Sequence, residues 1–418
     1  MKALIALLFG ALWLSHAAAA GDVSADLPPA AEVERVLAAL PELQAASSQV
    51  SAEQANRERL AAGTHEWNVR LSTQRRRVTS PSAPDEQFAE QGLSLERPLR
   101  LPGKAALDEA LGARGVDAAR WAEGDARHEA ARALLKAWFS WLRERAGAEL
   151  WNAQAAVLRQ NAANLLRRNQ LGDASRLDAV SAEAALAQAE AQSSYAQARE
   201  QAAALQLRRR YPGLNLPPRP ELSEPQPLSG SEAEWTAAIL EHSHELGLAR
   251  SDVERARTVA ERAERERLPD PTVGLHLLRE RGGDEQIVGI SVSIPLPGQA
   301  RRAAATAGQA QAAAAASREA AALQKISAEA AALYHGAAAA RTGWQNQRVA
   351  ALRLAQAADM SARAYQLGEG NLGEVLMARR YAHEARLAAL QAQVDALELQ
   401  YRLLLDAHRM WDFDRHSP

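Results

Sequence analysis

The sequence predicts a mainly α-helical protein with two β-hairpins, built from long coiled-coil helices and arranged as one unit repeated in tandem. Two observations carry this prediction. The 418 residues are rich in Ala, Leu, Arg, Glu and Gln, and only 5% are aromatic, a composition typical of long helices that pack closely. In addition, three short segments of the first half recur in the same order in the second half.

The internal matches divide the chain into two copies. Residues 40–50 match 243–253, residues 101–104 match 296–299, and residues 170–173 match 366–369. The number of residues that separates matching segments is smaller for the second and third pairs than for the first pair. The first copy therefore contains an insertion between its first two matched segments. We expect it to be a longer loop over 75–87. The predicted division is a first repeat over 21–211, a Pro-rich linker over 212–230 and a second repeat over 231–418.

The first twenty residues have the layout of a secretory signal peptide. Lys2 is followed by an apolar stretch over 3–14 and by small residues at 17–20. This stretch is too short to span a bilayer, so an uncleaved anchor is the less favoured alternative. The chain has no Cys to form disulfides or thiolate metal sites, and its net charge of −2 gives no reason to expect nucleic acid as a partner.

Helices are predicted at the start of each copy and again after each pair of strands. Residues 31–62 and 231–267 form the first pair, and Pro41 either kinks its helix or marks the true start. Residues 104–169 and 299–366 contain few strong breakers. Helices of sixty-odd residues reach about 100 Å, a length that no globular core needs.

A further helix runs back after each Gln-Leu-Gly turn. In the second copy the apolar residues follow the 3/4 alternation of a coiled-coil seam. They are Leu387, Leu390, Val394, Leu397, Tyr401, Leu404 and Trp411. The first copy has a lighter predicted seam of Val180, Ala184, Ala187, Ala191 and Ala198.

Between the helices, short segments alternate apolar and polar residues with period two, as strands with one wet face do. The apolar positions are Trp67, Val69, Leu71, Leu93 and Leu95 in copy one, and Val273, Leu275, Leu277, Val288, Ile290, Val292 and Ile294 in copy two. A turn at 281–284 makes the second pair a hairpin. Trp67 fits an interfacial aromatic girdle or a core position equally well.

Four strands per chain leave unpaired edges, so the strands predict an oligomer. Three chains would supply twelve strands, enough for a transmembrane β-barrel with a water-filled lumen. The alternative is two ordinary hairpins on a soluble helical protein. It is less favoured because it leaves two apolar strand faces without a partner.

The order helix, hairpin, long helix, turn and return helix, given twice after a signal peptide, resembles the TolC-like outer-membrane efflux proteins. The motifs that carry the resemblance are LAALPEL at 37–43, PLPG at 295–298 and YQLGEGNLGEVL at 365–376. The resemblance implies a homotrimer in the outer membrane of a Gram-negative cell, in contact with its lipid. It also implies a helical barrel that reaches into the periplasm and joins a twelve-stranded β-barrel.

The same resemblance implies partners and a cargo. The partners are a periplasmic adaptor (membrane fusion protein) and an inner-membrane pump, most often of the RND type. The short length, the absence of a lipidation Cys and the PLPG motif look most like the CzcC branch, which implies a role in heavy-metal cation efflux and metal resistance. Drugs or secreted polypeptides are the alternative cargo. A periplasmic coiled-coil adaptor or scaffold is the alternative from another class.

The resemblance places candidate functional residues at the helix turns. In the family the tunnel entrance narrows there, and acidic residues form a ring across the trimer. Glu374 matches this position by motif, and Asp178 matches it through the duplication. Carboxylate rings favour cations, but an acid in the first turn of a helix also stabilises the helix by itself. Met377 and Ser181 stand where more elaborate members carry a second acid.

The turns themselves are candidate contacts for the adaptor. Gly172 and Gly368 permit the tight reversal because Gly accepts positive φ at little cost. The flanking residues Asp173, Glu369 and Asn371 either cap helices or contact the adaptor, and capping is the favoured interpretation.

The sequence gives no support for an enzyme, a cofactor or a metal site. It contains no phosphate-binding loop, no His-Glu-x-x-His motif and no nucleophile elbow. His242 and His244 are two residues apart and point to different faces of a helix, so they are poorly placed to share one ion. We expect them at a solvated helix end.

Overall fold

The structure is a computed structural model that describes residues 26–218 and 222–411. The predicted signal peptide lies outside the described residues, as do linker residues 219–221. Within the described ranges the chain forms eight α-helices and four β-strands, in an order that repeats once. The predicted mainly helical fold with two hairpins is confirmed.

The first copy contains α1 (Ala30–Ala38), α2 (Pro41–Ala62), β1 (Asn68–Ser80), β2 (Ala83–Pro98), α3 (Lys104–Gln170) and α4 (Arg176–Arg210). The second copy contains α5 (Glu232–His242), α6 (His244–Arg265), β3 (Thr272–Glu280), β4 (Glu285–Ser293), α7 (Gln299–Gln366) and α8 (Leu372–Asp406). The long helices α3 and α7 have nearly the predicted bounds, and each reaches about 100 Å at 1.5 Å per residue.

Each copy begins with two helices where the sequence analysis expected one. Pro41 is the first residue of α2, where its missing N–H is not needed, and Leu40 before it is extended. Ser243 is likewise extended and caps α6, its hydroxyl oxygen accepting from the Leu246 N–H at 3.2 Å. The unbroken helix expected over 231–267 is therefore wrong, and its break lies at the repeat equivalent of Leu40.

The four strands form one antiparallel sheet in the order β1-β2-β3-β4, because β2 and β3 join the two hairpins. The expected loop over 75–87 is instead a continuation of the first hairpin. Arg75 pairs with Ala89, and Arg77 pairs with Gln87. Antiparallel pairing satisfies the backbone groups that a loop would leave to water.

The helices pack as antiparallel pairs around apolar clusters, the largest of which lies at mid-length of α3. It joins α3 to α1, to α8 and to the end of α4, and includes Val33, Leu37, Leu134, Trp138, Phe139, Leu142, Leu207, Val394, Leu397 and Trp411. The predicted seam of α8 thus contributes to this core. Within the described residues, no helix is both long and apolar enough to cross a membrane.

The seam predicted for α4 is not buried within the single chain. Val180 is 53% exposed, and the other predicted positions are exposed as well. The buried positions of α4 are Ala179, Ala182, Ala189, Ser193, Ala196, Ala204 and Leu207. They also follow 3/4 spacing, but on another face of the helix. Because Ala occurs on several faces of α4, composition does not mark which face is buried.

Candidate functional site

The sheet presents one apolar face that runs across all four strands. Two rows of side chains lie in register on it. They are Val69, Leu95, Leu275 and Ile290, and then Leu71, Leu93, Leu277 and Val288. Most of these side chains are exposed in the single chain, from 40% at Leu93 to 81% at Ile290. A contiguous exposed apolar surface of this kind indicates contact with lipid or with another protein.

The apolar band has a definite height. Along β4 and just beyond it, alternate residues from Val288 to Ile294 are apolar and exposed, which gives about 20 Å at 3.3 Å per residue. Trp67 lies beside β1 and is 59% exposed, with the Arg97 guanidinium 5.2 Å from its ring centre. Trp67 therefore does not pack in the core of this chain, and its exposure agrees with the girdle interpretation.

The opposite face of the sheet carries mostly small and polar side chains. They include Gly92, Ser94, Gly274, His276, Gly289 and Ser291 at the level of the apolar band. The apolar exceptions are Leu278, which pairs with Gly92, and its partner Ile287. Closer to the hairpin turns, Arg76 lies 2.8 Å from Glu90 and 2.9 Å from Glu280, which ties three strands together. The sheet therefore has one face suited to lipid and one suited to water.

The outer strands β1 and β4 each pair on one side only within the described chain. Unpaired strand edges beside an apolar face are unfavourable in lipid, where water cannot satisfy the backbone N–H and C=O groups. The sheet of a single chain is therefore incomplete in a membrane, and further chains must complete it.

The helix turns at the far end from the sheet share one backbone geometry. Gly172 and Gly368 both have φ of +80°. The Gly172 N–H donates to the Asn169 carbonyl at 3.0 Å, and the Asp173 N–H donates to Arg168 at 2.8 Å. Gly368 and Glu369 make the equivalent bonds, to Tyr365 at 3.1 Å and to Ala364 at 3.0 Å. These paired bonds define a Schellman motif, which favours Gly at its left-handed position.

The two turns lie side by side. One apolar cluster contains residues from both copies: Ala162, Leu165, Ala182 and Leu372, with Leu186, Tyr365 and Leu376 packed against it. The structure thus brings the predicted residues of both helix turns, around Gly172 and around Gly368, to the same end of the molecule.

The two candidate acids occupy the first turns of α4 and α8. The Asp178 N–H donates to the Ser175 hydroxyl oxygen at 3.0 Å. The Glu374 N–H donates to the Asn371 side-chain oxygen at 2.9 Å, and the Asn371 amide donates back to the Glu374 carboxylate at 2.8 Å. Ser175 and Asn371 are therefore helix caps. Glu374 remains exposed and Asp178 is half-buried.

Asp173 and Glu369, the acids that flank the two turns, have different surroundings. Asp173 accepts from Arg168 at 2.8 Å across the turn, and this hydrogen bond, with the charge of Asp173, raises the pKa of the Arg168 guanidinium. The side chain of Glu369 is exposed to solvent. The pair of Arg168 with Asp173 is exposed, so it contributes little to stability.

Of the two histidines expected at a solvated helix end, only His242 is exposed. His242 is exposed as expected, but His244 is only 8% exposed. The side chains of His128, His244 and His408 converge, and one potential ligand atom from each lies within 4.8 Å of the others. Sequence reasoning missed this group because its members come from α3, from α6 and from the segment after α8, with no local spacing to reveal them.

The arrangement of a four-stranded antiparallel sheet on helices of about 100 Å is shared with solved outer-membrane proteins. The outer-membrane protein VceC from Vibrio cholerae has a TM-score of 0.73 and 18% identity, and the match covers 91% of this chain and 99% of VceC. The CmeC outer-membrane channel of Campylobacter jejuni has a TM-score of 0.72 and 14% identity, over 93% of this chain and 86% of CmeC.

The MtrE outer-membrane channel of Neisseria gonorrhoeae has a TM-score of 0.71 and 16% identity, over 90% of this chain and 88% of MtrE. At these identities the likeness establishes a shared fold, and it supports the resemblance to TolC-like proteins that the sequence indicates. CmeC and MtrE are outer-membrane channels. No protein-family model matches the chain, and no curated protein matches it either.

Proposed function

We propose that this protein is the outer-membrane channel subunit of a tripartite efflux system and acts as a passive export duct. The observation that carries the proposal is the four-stranded sheet, which has an apolar face about 20 Å high and two open edges. This sheet stands on helices long enough to cross much of a periplasm. An adaptor or scaffold, the alternative class, has no need of an exposed apolar sheet.

A homotrimer is the assembly that suits this sheet. Pairing β4 of one chain with β1 of the next closes twelve strands into a ring, which leaves a water-filled lumen by the usual relation between strand number and diameter. The polar face with Ser94 and Ser291 then lines the lumen, and the face with Leu71 and Ile290 meets outer-membrane lipid.

The absence of native Cys makes this assembly directly testable. Cys pairs with one member on β1 and one on β4 are scanned for disulfide formation in cells. We expect at least one register to give covalently linked trimers in the outer-membrane fraction. The two single-Cys variants of each pair are the controls and should give no trimer ladder. A soluble periplasmic monomer would contradict the channel assignment.

The helix turns are the proposed docking surface for a periplasmic adaptor, which would connect the duct to an inner-membrane pump of the RND type. Gly172, Asp173, Gly368, Glu369 and Asn371 lie together at the end of the molecule that carries the turns. Site-specific photo-crosslinking from Glu369 should capture an adaptor, whereas the same probe at exposed Arg353, within α7, should not.

Asp178 and Glu374 are the proposed entrance ring. Glu374→Gln keeps a side-chain oxygen that can accept from the Asn371 amide but removes the charge. We expect this variant to weaken the blockade of single-channel current by multivalent cations several-fold. Asp173→Asn, which removes a charge at the neighbouring turn, is the matched control. Blockade unchanged in Glu374→Gln and in Asp178→Asn would assign both acids to helix capping alone.

Heavy-metal cations are the proposed cargo, on the strength of the resemblance to the CzcC branch. Cells that lack the protein should lose tolerance to zinc, cobalt or cadmium while keeping tolerance to hydrophobic drugs. The reverse pattern would support the second candidate, a duct for drugs. Restoring the protein from a plasmid is the control in both cases.

A further inference from the structure

We propose that His128, His244 and His408 bind one divalent transition-metal cation of the zinc class inside the helical body. The site is remote from the helix turns and from the sheet, and the proposal does not depend on the efflux role. One potential ligand atom from each of the three residues lies within 4.8 Å of the other two. A tetrahedral zinc ion with Zn–N bonds of 2.0–2.1 Å needs nitrogens about 3.4 Å apart, so the imidazoles would have to move closer together to close the site.

The three residues come from separate elements that the fold brings together. His128 lies on α3, His244 is the first residue of α6, and His408 follows the end of α8. The His128 and His408 rings are parallel, with centres 5.3 Å apart, and the His244 and His408 rings are 5.2 Å apart. An ion held here would join the first copy, the second copy and the C-terminal end of the last helix.

The backbone at His408 is a second and independent observation. His408 has φ of +53°, and its N–H donates to the Leu405 carbonyl at 3.0 Å while the Arg409 N–H donates to Leu404 at 2.8 Å. This is the same Schellman geometry as at Gly172 and Gly368. Residues other than Gly are disfavoured in the left-handed conformation, so Gly would be more stable than His at this position.

The surroundings of the rings suit a cation. Asp406 Oδ1 lies 3.3 Å from His128 Nε2 and also accepts from Arg132 at 2.7 Å. A histidine that donates one ring N–H to a carboxylate keeps its other nitrogen for a metal, and such pairs are a regular feature of metal sites. The cavity has a volume of about 50 Å³, and its charged lining consists of four carboxylates and two guanidinium groups, those of Asp125, Glu245, Glu329, Asp406, Arg132 and Arg402.

The packing around His244 leaves room for its ring and for little else. A Cβ added at Gly124 would come within 2.2 Å of the His244 ring, so the backbone of α3 approaches the imidazole closely. The His242 ring lies 5.1 Å from that of His408 and is exposed. His242 is not one of the three converging residues, so a water molecule is the fourth ligand that would complete the coordination.

The ligand chemistry selects the class of ion. Three imidazoles without a thiolate favour zinc, cobalt, nickel or copper, whereas magnesium and calcium prefer oxygen ligands. Co²⁺ is the informative probe because, unlike Zn²⁺, it absorbs visible light when tetrahedral. The experiment uses the untagged full-length protein in detergent, stripped with EDTA and freed of the chelator.

We expect wild type to bind one Co²⁺ per chain with a visible tetrahedral spectrum, to release it when Zn²⁺ is added, and to gain thermal stability with either ion. His408→Gly is the decisive variant. It relaxes the left-handed backbone, so the metal-free protein should be at least as stable as wild type while the spectrum and the metal-induced rise in Tm are lost. This result separates loss of a ligand from failure to fold.

His335→Ala is the matched control. His335 is exposed on α7 and pairs with Glu232 at 2.9 Å, away from the three histidines, so this variant should keep the wild-type spectrum and Tm shift. Absence of saturable Co²⁺ binding in wild type overturns the proposal. So does Co²⁺ binding that persists in His408→Gly, because it would come from scattered surface ligands.

Discussion

Lys104 Nζ lies 2.9 Å from Asp270 Oδ1, although the lysine side chain is only 1% exposed. The same ammonium lies 3.2 Å from Glu266 and donates to the Leu268 carbonyl at 2.6 Å. These contacts join the first turn of α3, in copy one, to the connection between α6 and β3, in copy two. The buried lysine therefore fixes the helical body to the sheet at the point where the two copies meet.

Lys104→Met should destabilise the protein by about 3 kcal/mol, because removing one partner of a buried ion pair leaves the carboxylate of Asp270 shielded from water without its lysine partner. The measurement is the midpoint of guanidinium unfolding in detergent. Lys325→Met is the matched control, since Lys325 pairs with Glu245 at 2.9 Å on the surface, where both side chains are largely exposed. Its loss should change stability by less than about 1 kcal/mol. Equal effects of the two substitutions would contradict the anchoring role of Lys104.

The stability supplied by Asp270 should depend on pH. Burial alone would raise the pKa of Asp270, but hydrogen bonds from Lys104, the Leu101 N–H and His65 outweigh it, so that the pKa lies below its ordinary value of 3.8. A carboxyl whose pKa is lower in the folded state than in the unfolded state stabilises the fold fully above the unfolded value. That stabilisation is lost as pH falls through the folded value.

Asp270→Asn should therefore be less stable than wild type at neutral pH, with the difference shrinking below about pH 4. Thermal unfolding of both proteins across this range measures it. Asp85→Asn, in an exposed pair with Arg77, is the control and should show a small difference from wild type at every pH. A gap between Asp270→Asn and wild type that stays constant into acid would contradict the lowered pKa.

The long elements were predictable because their signals are local. Uninterrupted helix formers determine α3 and α7, and strict alternation with Gly-rich turns determines the hairpin of β3 and β4. The break at Ser243 could also have been predicted, since the duplication aligns it with Leu40, which precedes Pro41. The insertion was located correctly from the repeat spacing, but it was expected to be a loop, whereas cross-strand pairing of Arg75 and Arg77 extends the strands.

Features that depend on tertiary contacts were not predictable in the same way. The buried face of α4 could not be chosen because Ala occupies several of its faces, and partner helices decide which one is covered. Lys104 and Asp270, like His128 and His408, are far apart in the sequence and meet only in the fold. The motif correctly indicated the helix turns at Gly172 and Gly368. The two hydrogen bonds between Asn371 and Glu374 could not be predicted from the sequence, because they depend on side-chain positions.

The turn glycines should be sensitive to substitution for a backbone reason alone. A Cβ at Gly368 would meet no atom within 4 Å, so Gly368→Ala tests only the left-handed conformation, which disfavours Ala by about 1–2 kcal/mol. Gly343→Ala is the control, because Gly343 lies within α7 with equally open surroundings. Ala in a helix interior is more favourable than Gly by about 1 kcal/mol. The two substitutions should therefore shift the unfolding midpoint in opposite directions, and a shift in the same direction would contradict the turn geometry.

A charged residue introduced on the apolar face of β4 should affect assembly more than one introduced on its polar face. Ile290 lies on the apolar face and is 81% exposed, and Ser291 next to it lies on the polar face. Arg near the middle of a lipid-facing band is unfavourable by about 2–4 kcal/mol, whereas substitutions on the lumen side are tolerated. Ile290→Arg should therefore reduce the amount of assembled protein in outer-membrane fractions, and Ser291→Arg should leave it near wild type. The measurement is the yield of heat-resistant oligomer on detergent gels, and Ile290→Val, which keeps the face apolar, is the second control. Equal yields from Ile290→Arg and Ser291→Arg would mean that the apolar face is covered by protein or water and not by lipid.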